Sequence, residues 1–213
     1  MTGLAEDLMK EERHWYSQGL TLIAGVDEVG RGCLAGPVYA AAVILPQHFH
    51  LPHLNDSKKL TPVQREVLFG QIQKQAVAWR VAWVEVEEID RINIFHASLK
   101  AMALALNRLS VLPERVLVDG SFIAPVEFPQ TAMVKGDQRS ASIAAASIMA
   151  KVMRDRFMEE QEVFFPKFSF GRHKGYGTPQ HLSELKTHGP TPLHRRSFAP
   201  VQEQWGLFTG TDS

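Results

Sequence analysis

The sequence lacks the features that mark secreted, membrane-bound or strongly charged proteins. Its 213 residues include one cysteine, Cys33, which excludes an intramolecular disulfide and is typical of a reducing compartment. The longest apolar run, residues 38–45, is far too short to span a bilayer. Charged residues interrupt the first dozen positions, where a signal peptide would need an apolar segment. We therefore expect a soluble, cytoplasmic protein.

The sequence also has no net charge, with 23 basic and 23 acidic residues, but its charges are unevenly distributed. Residues 167–196 contain a single acid, Glu184. The same segment contains six basic residues: Lys167, Arg172, Lys174, Lys186, Arg195 and Arg196. Because a locally basic stretch can bind a polyanion even in a neutral protein, nucleic acid remains open as a partner.

Strand-like and helix-like segments alternate along the chain, which predicts an α/β protein with helices layered on one central sheet. Apolar strand patterns lie at residues 22–26, 38–45, 81–86, 116–118 and 132–134. Helical patterns lie at residues 4–18, 61–75, 93–109, 140–160 and 179–188, and the fourth begins with small residues that would let it lie close to a sheet. With no repeat or linker, we expect one domain over residues 1–200 and a tail at 201–213.

Four acids share a context that is typical of a metal site. Asp27 and Glu28 end one apolar strand, Asp119 ends another, and Asp137 lies in a glycine-containing turn before a helix. Acids at the ends of neighbouring strands can converge at the sheet edge. Oxygen ligands of this kind select Mg²⁺ or Mn²⁺ rather than zinc, and two such ions could activate a water on a phosphodiester. Taken singly, each acid could equally be a turn or capping residue, because spacing does not establish convergence.

A glycine-rich segment follows the first pair of acids. Residues 30–35 match the dinucleotide-binding pattern G-x-G-x-x-A, but Gly36-Pro37 and a strand follow where that pattern needs a helix. We therefore reject that interpretation. Two alternatives remain: the glycines let the backbone approach a sugar–phosphate strand, with Arg31 nearby, or they form a tight turn that binds nothing. Cys33 in this segment is expected to be a small packing residue.

Together these motifs resemble the bacterial ribonuclease HII family. The resemblance rests on Gly25–Gly32 with Ala35–Val38, Asp56-Ser57-Lys58-Lys59-Leu60, Val118-Asp119-Gly120, Lys135-Gly136-Asp137 with the following small-residue helix, and His173-Lys174-Gly175-Tyr176-Gly177-Thr178. These segments occur in the order of the family and cover roughly residues 20 to 198, so their joint occurrence is specific. The clearest departure is Cys33, where the family often has proline.

The resemblance implies a ribonuclease H-like fold, with a mixed five-stranded sheet, flanking helices and a C-terminal helical extension. It implies a type 2 ribonuclease H that cleaves the RNA strand of RNA–DNA hybrids and nicks duplex DNA 5′ of a single ribonucleotide, leaving 3′-hydroxyl and 5′-phosphate ends. The implied biological roles are ribonucleotide excision repair and removal of RNA primers. The implied metal ligands and catalytic residues are Asp27, Glu28, Asp119 and Asp137, with Mn²⁺ or Mg²⁺.

The implied readers of the 2′-hydroxyl are Gly30, Arg31 and Gly32, and Tyr176 matches the tyrosine that stacks on the neighbouring deoxyribose. In the basic stretches we predict phosphate contacts for Lys58, Lys174, Arg195 and Arg196, with Lys135 as a further candidate. For each of the lysines, an ordinary solvated surface charge is an alternative.

The end of the chain resembles a peptide by which bacterial repair enzymes dock on the replication sliding clamp. Gln204, Leu207 and Phe208 match the pattern Q-x-x-L-F. Apolar anchors in a tail suit insertion into a preformed pocket. Alternatively, Trp205 and Phe208 pack the tail onto the domain. The protein itself is expected to be a monomer.

Three other functions are weighed against this one. A recombinase-type nuclease would use similar acids on DNA, but Gly-Arg-Gly and Tyr176 match a reader of RNA–DNA junctions. A non-catalytic hybrid-binding protein would not need all four acids. A small-molecule phosphohydrolase would not explain the basic, aromatic C-terminal segment.

Overall fold

The computed structural model describes residues 8–52, 54, 57 and 60–208, which form a five-stranded mixed sheet with helices on both faces. The strands are β1 (Ile23–Val29), β2 (Val38–Ile44), β3 (Ala78–Val84), β4 (Arg115–Asp119) and β5 (Gln130–Met133). Their order is β3-β2-β1-β4-β5, in which β1, β2 and β3 pair antiparallel while β4 lies parallel to both β1 and β5. The predicted fold class is therefore confirmed.

Helices cover both faces of this sheet, and β2 is consequently buried at all seven positions. The helices are α1 (Lys10–Tyr16), α2 (Pro62–Gln75), α3 (Val86–Asn107), α4 (Ala141–Phe164), α5 (Phe170–His173), α6 (Pro179–His188) and α7 (Ala199–Phe208). Helix α3 packs on one face, and α2 and α4 pack on the other. Among the described residues, no helix has the length and apolar character needed to cross a bilayer.

The close approach of α4 to β1 explains the small residues that open this helix. A Cβ atom on Gly25 would lie 2.1–2.2 Å from backbone atoms of Ser142 and Ile143, so only glycine fits there. Ser140 caps the helix by accepting a hydrogen bond from the Ile143 N–H, and buried Glu12 of α1 accepts bonds from the Ser140 hydroxyl and the Ser142 N–H. The start of α4 is thereby fixed beside the central strand.

Local capping signals predicted two helices well. Thr61 and Gln64 form a reciprocal capping box at the start of α2, with Pro62 in its first turn, and the helix ends at the predicted residue. Thr178 caps α6, whose bounds match the prediction.

Helix α3 differs from its prediction because it begins at Val86 rather than at residue 93. Asn93 interrupts it with φ of +65°, and the Asn93 Oδ1 accepts a hydrogen bond from the His96 N–H. Asn93 therefore caps a second helical segment, which is the segment that the sequence pattern detected.

The described part of the chain ends in α7. Helix α7 runs across the expected boundary between residues 200 and 201, and Val201 is fully buried in a cluster with Phe168, Phe170 and Leu185. Trp205 packs half-buried against the same cluster, and the Phe208 side chain lies outside the described residues. The boundary at residue 200 therefore stays a prediction.

Candidate functional site

Asp27 and Asp119 lie side by side at the ends of two parallel neighbours in the sheet. The last register pair between β1 and β4 joins Val26 to Val118, and each acid is the next residue of its strand. Because successive side chains of a strand point to opposite faces, Glu28 leaves β1 on the other side from Asp27. Glu28 lines a recess with Asp119, Arg31 and the α3 residues Phe95 and Ser98.

Burial and repulsion between neighbouring charges raise the pKa values of Asp27 and Glu28, the two acids at the end of β1. Burial raises the pKa of Asp27 well above its usual value, and the neighbouring charges of Glu28 and Asp119 raise it further. Burial also raises the pKa of Glu28, against the opposing effect of the Arg31 guanidinium, whose Nη1 lies 3.1 Å from Glu28 Oε1. The three acids therefore sense one another electrostatically.

Asp137 reaches the same sheet edge through a short 3₁₀ turn, Gly136–Gln138. The Gly136 N–H donates to Asp119 Oδ1 at 2.7 Å, and Asp137 itself is buried. A Cβ on Gly136 would lie 2.5 Å from the Ile143 side chain and 3.2 Å from Asp119 Oδ1, so glycine lets this turn approach the strand end. The structure thus places all four predicted acids at one edge of the sheet.

The described acids do not form a ready-made coordination shell. In residues 8–52, 54, 57 and 60–208, no group of three or more His, Cys, Asp or Glu side chains has an arrangement that could hold a metal ion as it stands. The donor set nevertheless fits a hard divalent cation, because it consists of carboxylate oxygens whose burial leaves negative charge uncompensated. A cation would remove the repulsion that raises the pKa values.

A buried serine pair that the sequence analysis did not identify supports Asp27. The Ser147 hydroxyl of α4 hydrogen-bonds to the Asp27 carboxyl, and Ser57 Oγ lies 2.9 Å from Ser147 Oγ. Ser57 belongs to the Asp56-Ser57-Lys58 segment, so this contact gives that motif a structural role beside the acids.

The Gly30–Gly36 loop is held from below by the buried side chain of Arg195. This guanidinium donates to the carbonyl oxygens of Gly30, Arg31 and Gly36 at 2.7–3.0 Å. The prediction that Arg195 contacts phosphate is wrong, because its side chain has no exposed surface and its donors point at these carbonyls. The charge pattern identified the residue, but burial assigns it to the loop.

A second buried arginine, Arg154 of α4, was not identified from the sequence. It donates to the carbonyl oxygens of Ala35, Pro37 and Lys174 at 2.8–3.0 Å. A Cβ on Gly30 would lie 2.3 Å from the Arg154 Nε, so the loop needs its first glycine to lie over this side chain. The glycine-rich segment is therefore a shaped loop on two arginines, not a plain hairpin turn.

Tyr176 lies directly beside this loop. Cys33 and Tyr176 form an isolated antiparallel bridge, and the Tyr176 side chain is 37% exposed. The amino group of Lys151 and the guanidinium of Arg154 lie 5.7 and 5.9 Å from its ring centroid. Cys33 is fully buried at this junction, as its predicted packing role requires. Thus segments far apart in sequence present Arg31 and Tyr176 on neighbouring surfaces.

The turn that carries Tyr176 is tied to three buried histidines. The Gly175 N–H donates to His173 Nδ1 at 3.1 Å, and His181 Nδ1 lies 2.9 Å from the Tyr176 carbonyl oxygen. His181 Nε2 lies 3.0 Å from His194 Nε2, and the His173 and His181 rings stack with centroids 4.0 Å apart. The sequence analysis did not identify this group.

Because these histidines are buried, we expect the free energy of unfolding to fall in acid. Burial lowers the pKa of His181 to about 4 and that of His194 to about 3, below the usual 6.5. Between pH 6.5 and pH 4 these histidines bind more protons in the unfolded chain than in the folded one. The folded state therefore loses stability as pH falls from 6.5 toward 4. At pH 5 we expect roughly 1–2 kcal/mol of lost stability per histidine. Urea unfolding of the wild type and His181→Asn between pH 7 and 5 checks this, since a pH-independent difference between them would contradict it.

The other predicted phosphate contacts have mixed outcomes. Lys174 is largely covered and pairs with Glu159, while Arg196 is exposed and its guanidinium lies 3.9 Å from the Trp205 ring centroid. Lys135 is exposed in the turn before Asp137. Lys58 lies outside the described residues.

An aromatic pair at the rim of the acidic site was also missed. Phe122 is 59% exposed, packs edge-on against Phe95 at 4.9 Å, and lines the recess that contains Glu28 and Asp119. An exposed phenylalanine three residues after an acid carries no distinctive sequence pattern, so the structure was needed to find it.

The proposed clamp motif lies on α7. Leu207 is 74% exposed, whereas Gln204 and Trp205 are half-buried. The Phe208 side chain lies outside the described structure. Of the described motif residues, Leu207 is thus the one that presents an apolar surface.

Comparisons with known proteins agree on one family. A family profile described as Ribonuclease HII matches residues 24–201. The chain is 54% identical over 202 residues to Ribonuclease HII of Geobacillus thermodenitrificans, covering 95% of this chain and 78% of that protein. It is 52% identical over 205 residues to Ribonuclease HII of Myxococcus xanthus, covering 96% and 70%.

Solved structures agree with this. The crystal structure of ribonuclease H2 from Pyrococcus horikoshii matches with a TM-score of 0.73 and 27% identity, covering 89% of this chain and all of that one. The RNase HII in a PCNA:RNase HII complex from Archaeoglobus fulgidus matches with a TM-score of 0.70 and 30% identity, covering 82% and 93%. The described fold is therefore shared with solved type 2 enzymes.

Proposed function

This chain belongs to the ribonuclease HII family, and on that premise we propose that it incises duplex DNA 5′ of a single ribonucleotide as well as cleaving longer RNA–DNA hybrids. It is a ribonuclease H of type 2, and hybrid cleavage is the activity of the family. The single observation that carries the finer proposal is the Cys33–Tyr176 bridge, which joins the exposed tyrosine to the segment that follows Gly30–Gly32. Arg31 of that segment lies 3.1 Å from Glu28, one of the acids.

We propose that Asp27, Glu28, Asp119 and Asp137 hold two divalent cations, Mg²⁺ or Mn²⁺. When bound, these ions supply an activated water and stabilise the charge that develops on the departing 3′ oxygen, which yields 3′-hydroxyl and 5′-phosphate ends. The electrostatic coupling of Asp27 with Glu28 and Asp119, and the Asp119–Gly136 hydrogen bond, support this assignment.

The chain's own groups then orient the substrate. The 2′-hydroxyl both donates and accepts hydrogen bonds, and it is the group that separates a ribonucleotide from its DNA neighbours. Arg195 and Arg154 bind carbonyl oxygens of the Gly30–Gly36 loop, and the N–H groups of residues 33–36 are bonded within the protein. We therefore assign contact with the 2′-hydroxyl to the backbone N–H groups at the start of the loop, in Gly30, Arg31 and Gly32. Tyr176 presents a partly exposed ring on which the deoxyribose of the next nucleotide can stack.

A DNA duplex with one internal ribonucleotide tests the proposal. With Mg²⁺ or Mn²⁺ we expect one nick on the 5′ side of the ribonucleotide, mapped by gel electrophoresis, and no nick with EDTA. Tyr176→Ala should lower this incision about tenfold more than it lowers cleavage of a long hybrid, because only the junction needs the stacked deoxyribose. Tyr176→Phe retains the ring and serves as the matched control.

Two outcomes would contradict this proposal. Cleavage of an all-DNA duplex at a comparable rate would show that the protein does not recognise the ribonucleotide. If Tyr176→Ala lowers activity equally on the ribonucleotide duplex and on the long hybrid, Tyr176 has no specific role at the junction.

We also propose that Gln204, Leu207 and Phe208 dock on the replication sliding clamp. The exposure of Leu207 supports this proposal, and the Archaeoglobus protein was solved in complex with PCNA. Leu207→Ala should weaken capture by an immobilised bacterial clamp at least about tenfold, because apolar anchors dominate such contacts. Hybrid cleavage by the same variant should be unchanged. Capture of Leu207→Ala equal to that of wild type, or no capture of either, would refute clamp docking.

These activities suit ribonucleotide excision repair and the removal of RNA primers, and we propose that the protein performs both in the cytoplasm as a monomer. Both processes require incision at an RNA–DNA junction, and the exposed Tyr176 ring beside the Gly30–Gly36 loop supports that activity.

A further inference from the structure

The three buried histidines have hydrogen-bond partners that determine where their protons lie. The Tyr176 carbonyl can only accept, so His181 Nδ1 carries the proton and its Nε2 is an acceptor. His194 Nε2 must then donate to it, which leaves His194 Nδ1 to accept from the Thr191 N–H, 2.9 Å away. The Tyr176 carbonyl at one end and the Thr191 N–H at the other therefore require the same tautomers of His181 and His194.

His173 is fixed independently. Its Nδ1 accepts from the Gly175 N–H, so its Nε2 carries the proton and donates to Glu184 Oε2 at 3.0 Å. Glu184 also accepts bonds from the Ser169 N–H and hydroxyl. Each histidine is therefore neutral, with both ring nitrogens bonded.

The turn supported by this network is conformationally demanding. Lys174 adopts φ of +51° and Gly175 φ of +81°. A Cβ on Gly175 would lie 2.4 Å from the Ala35 carbonyl oxygen, so the turn presses against the glycine-rich loop. A non-glycine residue at positive φ persists only where its surroundings hold it.

We propose that His181, with His173 and His194, forms a relay of fixed tautomers that positions Tyr176 for recognition of the RNA–DNA junction. The relay does not touch substrate, so these are positioning residues that act through the Gly175–Tyr176 backbone. This inference rests on the proposed junction role of Tyr176. It extends that role to a network connecting α6 and the segment around Thr191 to the site.

Four single variants and one double variant of the full-length protein test the relay. His181→Phe fills the space but removes both hydrogen bonds, whereas His181→Asn keeps a donor near the Nδ1 position. Leu185→Ala opens a cavity beside the same helix without removing a hydrogen bond of the relay, and it controls for lost stability. Tyr176→Ala defines the full effect of losing the reader. For each, kcat and KM are measured on a single-ribonucleotide duplex and on a long hybrid.

The measured ratio is kcat/KM on the single-ribonucleotide duplex divided by kcat/KM on the long hybrid. We expect His181→Phe to lower this ratio about tenfold, a usual effect of losing a group that orients a functional side chain. His181→Asn should restore most of the ratio, and Leu185→Ala should leave it unchanged although it unfolds at lower temperature. Combining His181→Phe with Tyr176→Ala should add nothing to the ratio change of Tyr176→Ala, because the relay acts through that residue.

The two proposals fail in different ways. If Tyr176→Ala lowers the ratio and His181→Phe does not, or if Leu185→Ala lowers it equally, the relay is overturned while the junction role stands. If Tyr176→Ala itself leaves the ratio unchanged, the junction role fails and the relay with it. Imidazole ¹⁵N NMR of the wild type gives a direct readout, with the His181 proton expected on Nδ1 and the His194 proton on Nε2; the opposite tautomers would overturn the relay.

Discussion

Replacing Asp119 with asparagine is expected to reduce hybrid cleavage by more than about 100-fold, while leaving the fold intact. Even groups that only orient a metal ligand cost about 10–100-fold when removed, and Asp119 is a proposed ligand itself. Asparagine keeps the Oδ1 that accepts the Gly136 N–H, so the turn carrying Asp137 stays in place. The substitution removes charge and little else.

The matching stability measurement distinguishes lost chemistry from lost structure. Because the Asp119 charge raises the pKa values of Asp27 and Glu28, its removal relieves repulsion among buried acids. Metal-free Asp119→Asn should therefore unfold at the same or higher urea concentration than wild type at pH 7. Adding Mn²⁺ or Mg²⁺ should stabilise the wild type more than the variant. Full activity of the variant, or unfolding at much lower urea concentration, would contradict this account.

Replacing Arg195 with alanine is expected to produce the largest loss of stability, about 3–5 kcal/mol in the free energy of unfolding. The substitution leaves the carbonyl oxygens of Gly30, Arg31 and Gly36 buried without their donor, and each such group costs about 1–3 kcal/mol. Cleavage should fall as well, because the loop that carries the proposed 2′-hydroxyl readers loses its support. Urea unfolding and hybrid cleavage measure the two effects.

Arg195→Lys and Arg196→Ala are the matched controls. Lysine keeps the charge but lacks the planar fork that spans three carbonyls, so it should recover only part of the stability. Arg196 is exposed, and its neutralisation should change stability by less than about 1 kcal/mol. If Arg195→Ala unfolds like wild type, or if Arg196→Ala loses as much as Arg195→Ala, the loop-supporting role of Arg195 is refuted.

The sheet and the acids were predictable because their signals are local. Apolar runs that end in Asp27 and Asp119 reveal strands and their ends, and Thr61 with Pro62 reveals a helix start. The small residues of α4 predicted close packing on the sheet, and Gly25 shows why that packing is possible. The family resemblance then supplied the convergence that spacing alone left open.

The supports of the site were not predictable in the same way. Whether an arginine is a surface charge or a buried donor depends on which carbonyls fold around it, and the partners of Arg195 lie in a distant part of the sequence. The His181–His194 contact likewise depends on how α6 packs. The start of α3 was misplaced because the apolar spacing that predicted this helix begins at Asn93. The structure has a kink there, and Asn93 starts only the second of two helical segments.

The two arginines beneath the glycine-rich loop also affect how a polyanion is attracted. The hydrogen bonds described for Arg154 and Arg195 all go to carbonyl oxygens, so their charges are solvated by backbone dipoles and are not cancelled by a carboxylate in those contacts. Charges buried in this way are screened by salt much less than those of exposed lysines. A chain with zero net charge thereby keeps a fixed positive potential under the surface that we propose as the nucleic-acid contact. This potential persists at ionic strengths where salt screens most of the attraction of exposed lysines and arginines.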